Sequence, residues 1–166
     1  MKLLSMFVTF AATALSAPAQ QASFATFGQG CGDIGEPPVP AQIQALSLPV
    51  LGTVYSVGFV APWFRTRPYF LNKYLVTGLS RTSWGGVNLP FYMTGWSGMG
   101  GWNCAVYCSH EVTLRADWGY PIPIPNDPTL AGQVFYQQWY FHYVVFGQTI
   151  DTWWITSDCG VVTLGF

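Results

Sequence analysis

Cysteine, histidine and carboxylate side chains hold what reactive chemistry this chain could perform: four Cys, two His and seven Asp and Glu in 166 residues. Cys104-x3-Cys108-x-His110 gathers three soft donors in one short stretch. A blue-copper site would also want a weak axial Met beyond the Cys and His, and no Met follows Met99. Disulfides account for the cysteines better, so no metal and no other cofactor is expected. Glu111, Asp117, Asp151 and Asp158 are the carboxylates from which a glycosidase pair would be assembled, although surface charge is the commoner fate of such residues. The chain contains no Gly-x-Ser-x-Gly elbow, no His-Glu-x-x-His and no phosphate-cradling Gly loop ending in Lys. The sequence therefore reads as a non-enzyme.

Asp127 is the most tempting single acid, and its setting gives it another job. In "IPIPNDPTLAG" the prolines at 123 and 125 hold the chain extended. Asn126-Asp127-Pro128 then opens a brief helical turn, with Asp127 as cap and Pro128 in the first position.

The remaining chemistry is that of rings. Aromatic residues make up 17% of the chain and charged residues only 8%, so much of the surface must be neutral. A row of rings beside amides is how a sheet grips sugar, by stacking and hydrogen bonding. Trp96 and Trp102 flank the Gly-rich loop, and Trp153 and Trp154 must point to opposite faces of a strand. The candidate binding residues are Trp96, Trp102, Tyr136, Gln138, Tyr140, His142 and Trp153.

Strands must position these groups. Short runs near 42–48, 53–60, 69–79, 87–93, 104–114, 133–146 and 152–165 are split by Gly and Pro. No convincing helical period exists, and twelve prolines are scattered along the chain. The expected fold is all-β: an antiparallel sandwich, Ig-like or jelly-roll-like, with about seven to eight strands. Tyr55, Val57 and Phe59 share one face of their run. In the 133–146 run Phe135, Trp139, Phe141, Tyr143 and Val145 form the core face, interrupted by Gln137, which needs a hydrogen-bonding partner there or a strand edge. Tyr136, Gln138, Tyr140 and His142 share the opposite face, which suits a half-wet sheet surface.

Residues 1–19 read as a secretory signal peptide. Lys2 precedes an apolar run, and Ala17-Pro18-Ala19 offers small residues for cleavage before Gln20. That run is too short for a retained transmembrane helix. Residues 20–41 read as an extended N-terminal segment tied down by Cys31, and 42–166 as a single β-domain. Without Lys2 the chain keeps five Lys and Arg against seven Asp and Glu, with no basic footprint for nucleic acid. An even cysteine count in an exported chain reads as two disulfides. If "CAVYC" is a strand, Cys104 and Cys108 lie about 13 Å apart, too far to pair with each other. Cys31 then pairs with either Cys104 or Cys108, and Cys159 with the other.

The motifs "FGQGCGDIG", "LSLPVLGTVYSVGF", "LVTGLSRTSWGGVNLPFYM", "IPIPNDPTLAGQVFYQQW" and "ITSDCGVVTLG" occur in that order along the chain. In this the sequence resembles a large group of uncharacterised secreted β-domains from planctomycete-type bacteria. The resemblance implies a compact extracellular β-sandwich and no particular activity. The group's pattern has the cysteines at Cys31 and Cys104, while Cys108 and Cys159 look like additions, so the resemblance implies Cys31–Cys104 and Cys108–Cys159 bridges. The expected role is a non-catalytic structural or adhesive module, secreted or at the cell surface, that docks on an extracellular protein or on itself. A carbohydrate-binding module for polysaccharide is the alternative, and a small outer-membrane β-barrel the second alternative.

Overall fold

The computed structural model describes residues 19–31, 40–60, 69–93, 104–146 and 150–166. The signal-peptide reading of 1–19 lies almost wholly outside these residues. No helix among them is long and apolar enough to cross a membrane.

The fold is all-β and antiparallel. A five-stranded sheet runs β1 (Ser23–Phe27), β12 (Ile150–Thr163), β11 (Val134–Phe146), β4 (Tyr69–Gly78) and β9 (Val112–Arg115). A three-stranded sheet runs β10 (Gly119–Pro123), β3 (Val54–Val60) and β2 (Gln42–Ala45). Two ribbons of two-residue strands complete it: β5 (Ser83–Trp84) with β6 (Val87–Asn88), and β7 (Phe91–Tyr92) with β8 (Ala105–Val106). The larger sheet ends at β1 and β9 rather than closing on itself, so the described residues form no barrel. The four short strands take the number past the seven or eight expected.

One core lies between the two main sheets. Ile43, Tyr55, Val57 and Phe59 meet Leu75, Trp139, Phe141, Ile155 and Val162, all buried. The alternation anticipated for β3 and β11 thus holds where it can be seen. Phe59 packs edge-on against Trp139 and Phe141, with ring centroids 5.0 and 4.8 Å apart. The Trp139 indole N–H donates to the Gly58 carbonyl at 2.9 Å, crossing from one sheet to the other. Gln137 sits in this core as expected and is satisfied there: Tyr55 donates its hydroxyl to Oε1, and Nε2 donates to Thr77, each at 3.1 Å. Burial drives the Tyr55 phenol pKa far up, so Tyr55 stays a donor.

Three sequence expectations change. Residues 23–27 are not merely extended but form β1, zipped to the second half of β12. The run 104–114 is not one strand: only Ala105–Val106 and Val112–Arg115 are extended pairs, and the chain between them crosses the sheet. The stretch from Pro121 is not simply a break, because Gly119–Pro123 pairs with β3 as a sheet edge. Edges are where a strand tolerates proline.

Asp127 caps the brief 3-10 turn Pro128–Leu130, as the sequence indicated. Its Oδ1 accepts from the Thr129 backbone at 2.9 Å and from the Thr129 hydroxyl at 2.7 Å. Those bonds lower its pKa and commit the carboxylate to structure.

β12 contains a bulge. Its pairing with β11 jumps from Gln138↔Cys159 to Tyr140↔Thr156, so Ser157 and Asp158 together face Trp139. The Ser157 hydroxyl accepts from the Trp139 backbone N–H at 3.0 Å, standing in for a ladder carbonyl. The extra residue turns Asp158 toward the small sheet, where Oδ1 accepts from Ile43 N–H at 2.7 Å. Burial raises the Asp158 pKa, and the bonds from Ile43 and Thr26 only partly offset that. The stability linked to a protonated Asp158 is present below the unfolded-state pKa of about 3.9. It is lost as pH rises through the higher folded-state value. Asp158→Asn removes this loss while keeping the acceptor. It should sit within about 1 kcal/mol of wild type at pH 7 and show a flatter stability profile through the mildly acidic range. Asp158→Ala strands the Ile43 donor and should cost about 1–3 kcal/mol. Urea denaturation across pH 4–7 measures both.

Candidate functional site

The outer face of the large sheet was expected to be a half-wet surface, and half of it is covered. The segment Cys104–Glu111 crosses it. Gln138, which the sequence assigns to a binding surface, is instead fully buried and clamps that segment. Its Nε2 donates to the carbonyls of Ala105 and Ser157, both at 2.8 Å, and its Oε1 accepts from Tyr107 N–H at 3.0 Å. Gly78 permits the crossing, because a Cβ there would fall 2.0 Å from the Ser109 carbonyl oxygen. Ser109 and Glu111 staple the far end: Ser109 Oγ accepts from Leu79 and Ser80 N–H and donates to Glu111. The Glu111 carboxylate, one of the catalytic candidates, therefore caps a loop. The Ser109 bond, more than anything else, holds its pKa down.

Tyr136 is likewise engaged, its ring edge-on to Phe27 at 6.3 Å. Phe27 in turn meets Tyr107 at 5.8 Å. Gly28 turns the chain here with φ +76°, and the Tyr107 ring occupies the space a Cβ would need. Trp96 and Trp102 fall outside the described residues, as does the Trp153 side chain.

Beyond the covering segment the face opens into a groove of about 210 Å³, lined by Tyr74, Val76, His110, Thr113, Tyr140 and Trp154. Strand register explains the grouping. Tyr140 lies opposite Tyr74, and His142 lies opposite Trp154. Trp154 stacks on His142 with centroids 4.5 Å apart and planes 10° off parallel, and also faces Tyr74 at 5.9 Å. His110, carried by the covering segment, closes one wall between Trp84 at 4.2 Å and Tyr140 at 5.1 Å. Its Nε2 lies 2.8 Å from the Tyr140 hydroxyl. Burial lowers the His110 pKa against the opposing pull of Glu111, so the ring is neutral at neutral pH. Burial raises the Tyr140 pKa strongly.

Of the expected binding residues, Tyr140 therefore lines this groove, His142 backs it by stacking on Trp154, Gln138 accepts from the Tyr140 hydroxyl, and Tyr136 packs on Phe27 instead. Tyr74 and Thr113 were missed, and His110 was weighed as a metal donor. Trp154 carried the one usable signal, since a tryptophan pair must place one ring on each face. The groove offers apolar ring surface with a few polar tips. No carboxylate pair lines it, and no cluster of three or more His, Cys, Asp or Glu suited to a metal occurs among the described residues.

Of the two expected disulfides, Cys31–Cys104 is formed. Cys108 and Cys159 are both free and buried. The expected Cys108–Cys159 bridge is therefore not formed, although both residues pack in one small buried cluster. No family model, curated protein or solved structure matches the chain.

Proposed function

We propose that this protein is an exported, non-catalytic binding module that takes a neutral sugar ring of a polysaccharide in the aromatic groove. The carrying observation is the groove itself: Tyr74, Tyr140, His110 and Trp154, all half-buried, line one small hollow with hydroxyl and imidazole groups at hand. A pocket below the roughly 300–1,000 Å³ of drug-sized sites suits one ring unit rather than a large ligand. The neutral surface fits an uncharged partner, and the formed disulfide and the leader-like N-terminus support export. The resemblance to secreted β-domains points the same way.

A glycan array followed by tryptophan-fluorescence titration tests this reading. Trp154→Ala should weaken binding of the best glycan by about 2 kcal/mol, roughly thirtyfold in Kd. Silence across plant, algal and bacterial polysaccharides, or an unchanged Kd in the variant, removes the sugar reading.

A second reading is a structural or adhesive module that docks on an extracellular protein or on itself. The small sheet favours it, because Leu46, Val54 and Val60 are 57%, 55% and 42% exposed and the described strand residues of that sheet carry no charge. Analytical ultracentrifugation showing a monomer, together with surface pull-downs that recover no partner, counts against it.

A further inference from the structure

Cys108 and Cys159 are left over by every role described so far. Both have 0% of their surface exposed, and they share a small packed cluster with Val76, Ala105 and Tyr107. The Cys159 thiol donates to the Gly160 carbonyl at 3.6 Å, so it is not committed to any distant partner. The backbone is fixed on both sides of the pair by one residue. Gln138 accepts from Tyr107 N–H, next to Cys108, and lies opposite Cys159 in the strand register. The bridge at Cys104 lies four positions before Cys108, so an oxidant that forms the first bridge acts on the same stretch of chain.

We propose that Cys108 and Cys159 are an oxidisable dithiol, here in its reduced form, whose closure by a disulfide oxidant locks the segment carrying His110 onto β12. The oxidant is a small-molecule or protein disulfide. The Cys108 thiolate attacks one of its sulfurs, forming a mixed disulfide and releasing the first thiol. Cys159 then gives up its proton and attacks Cys108 Sγ, expelling the second. Two thiols of the chain lose two electrons and two protons, and the oxidant gains them as two thiols. Cys159 is the resolving partner, because the neighbouring Cys108 and burial push its thiol pKa up. Buried thiols react slowly, so closure proceeds while 107–111 is open, during folding or local unfolding. His110 lies two positions beyond Cys108, so the lock reaches the groove wall whatever ligand the groove takes.

The test uses the full chain, refolded in oxidised glutathione or held in dithiothreitol. Each sample is denatured, alkylated with iodoacetamide and mapped by peptide mass. The dithiothreitol-treated chain reports which cysteines are reducible. In the glutathione sample the expected result is a crosslinked peptide joining Cys108 to Cys159 and no alkylated cysteine. Its unfolding midpoint should lie about 10 °C above that of Cys108→Ala/Cys159→Ala refolded the same way, which keeps only the first bridge. Cys159→Ala, lacking the resolving thiol, should instead retain a glutathione adduct on Cys108. Two alkylated thiols after oxidative refolding, persistent glutathione adducts on the wild type, or a crosslink with an unchanged midpoint would each overturn the proposal.

Discussion

Trp139→Ala should destabilise the fold by about 3–5 kcal/mol, the range for removing a buried tryptophan. Three losses combine. The ring is fully buried between Phe59 and Phe141, and the surrounding sheets cannot collapse into the vacated space without giving up their ladders. The donor to Gly58 disappears, and with it a direct hydrogen bond between the two sheets. The backbone N–H of residue 139 keeps its bond to Ser157, so the bulge itself survives and the loss reports the side chain. Trp139→Phe, which fills most of the space but donates nothing, should cost roughly half as much. Guanidinium denaturation at constant m-value measures both. A loss below about 1 kcal/mol for the alanine variant would mean that the sheets do not meet across this ring.

Removing the Cys31–Cys104 bridge should cost a comparable amount by a different route. The two cysteines are 73 positions apart, and releasing a loop of that size from the denatured chain is worth about 4 kcal/mol in the chain-entropy model. The native state also loses local order. Cys31 donates its N–H to the Thr156 carbonyl at 2.8 Å, and its sulfur accepts from Thr156 N–H at 3.1 Å. This places the bridge at the bulge, where regular pairing with β11 is interrupted. Domains of this kind are typically stable by about 5–15 kcal/mol, so the Cys31→Ala/Cys104→Ala variant should stand near the limit of folding at 37 °C. Thermal unfolding followed by circular dichroism checks it. An unchanged midpoint would show that the bridge constrains nothing that folding needs.

What could be read in the sequence follows the range of the interactions involved. Tyr55, Val57 and Phe59 alternate because a strand alternates, and they do face the core. Asp127 before Pro128 announces a cap through neighbours alone. The Cys31–Cys104 pairing was implied by resemblance; spacing alone left two schemes open. The outer face of β11 was misjudged because nothing local to Gln138 says that residues 105 and 107 will lie across it. A glutamine suited to a wet surface is equally suited to bonding a crossing backbone. β12 hides its pattern for another reason. Ile155 faces the core before the bulge and Val162 after it, so the inward parity changes from odd to even at Ser157–Asp158. Strict alternation misreads one half of that strand. The groove was only partly legible, since Tyr74, Tyr140 and Trp154 come from three strands and converge only through register.

The prolines of β10 carry a consequence for how the protein behaves when crowded. Ile124 N–H turns inward to Thr53, so by the two-residue repeat positions 121 and 123 direct their nitrogens away from β3, and at both positions that nitrogen bears no hydrogen. A foreign strand arriving at this border would find carbonyls but no donors at those two sites. Sheets commonly discourage such visitors with lysines, yet charged residues make up only 8% of this chain. Its proline border gives it a salt-independent way to resist polymerising along that side.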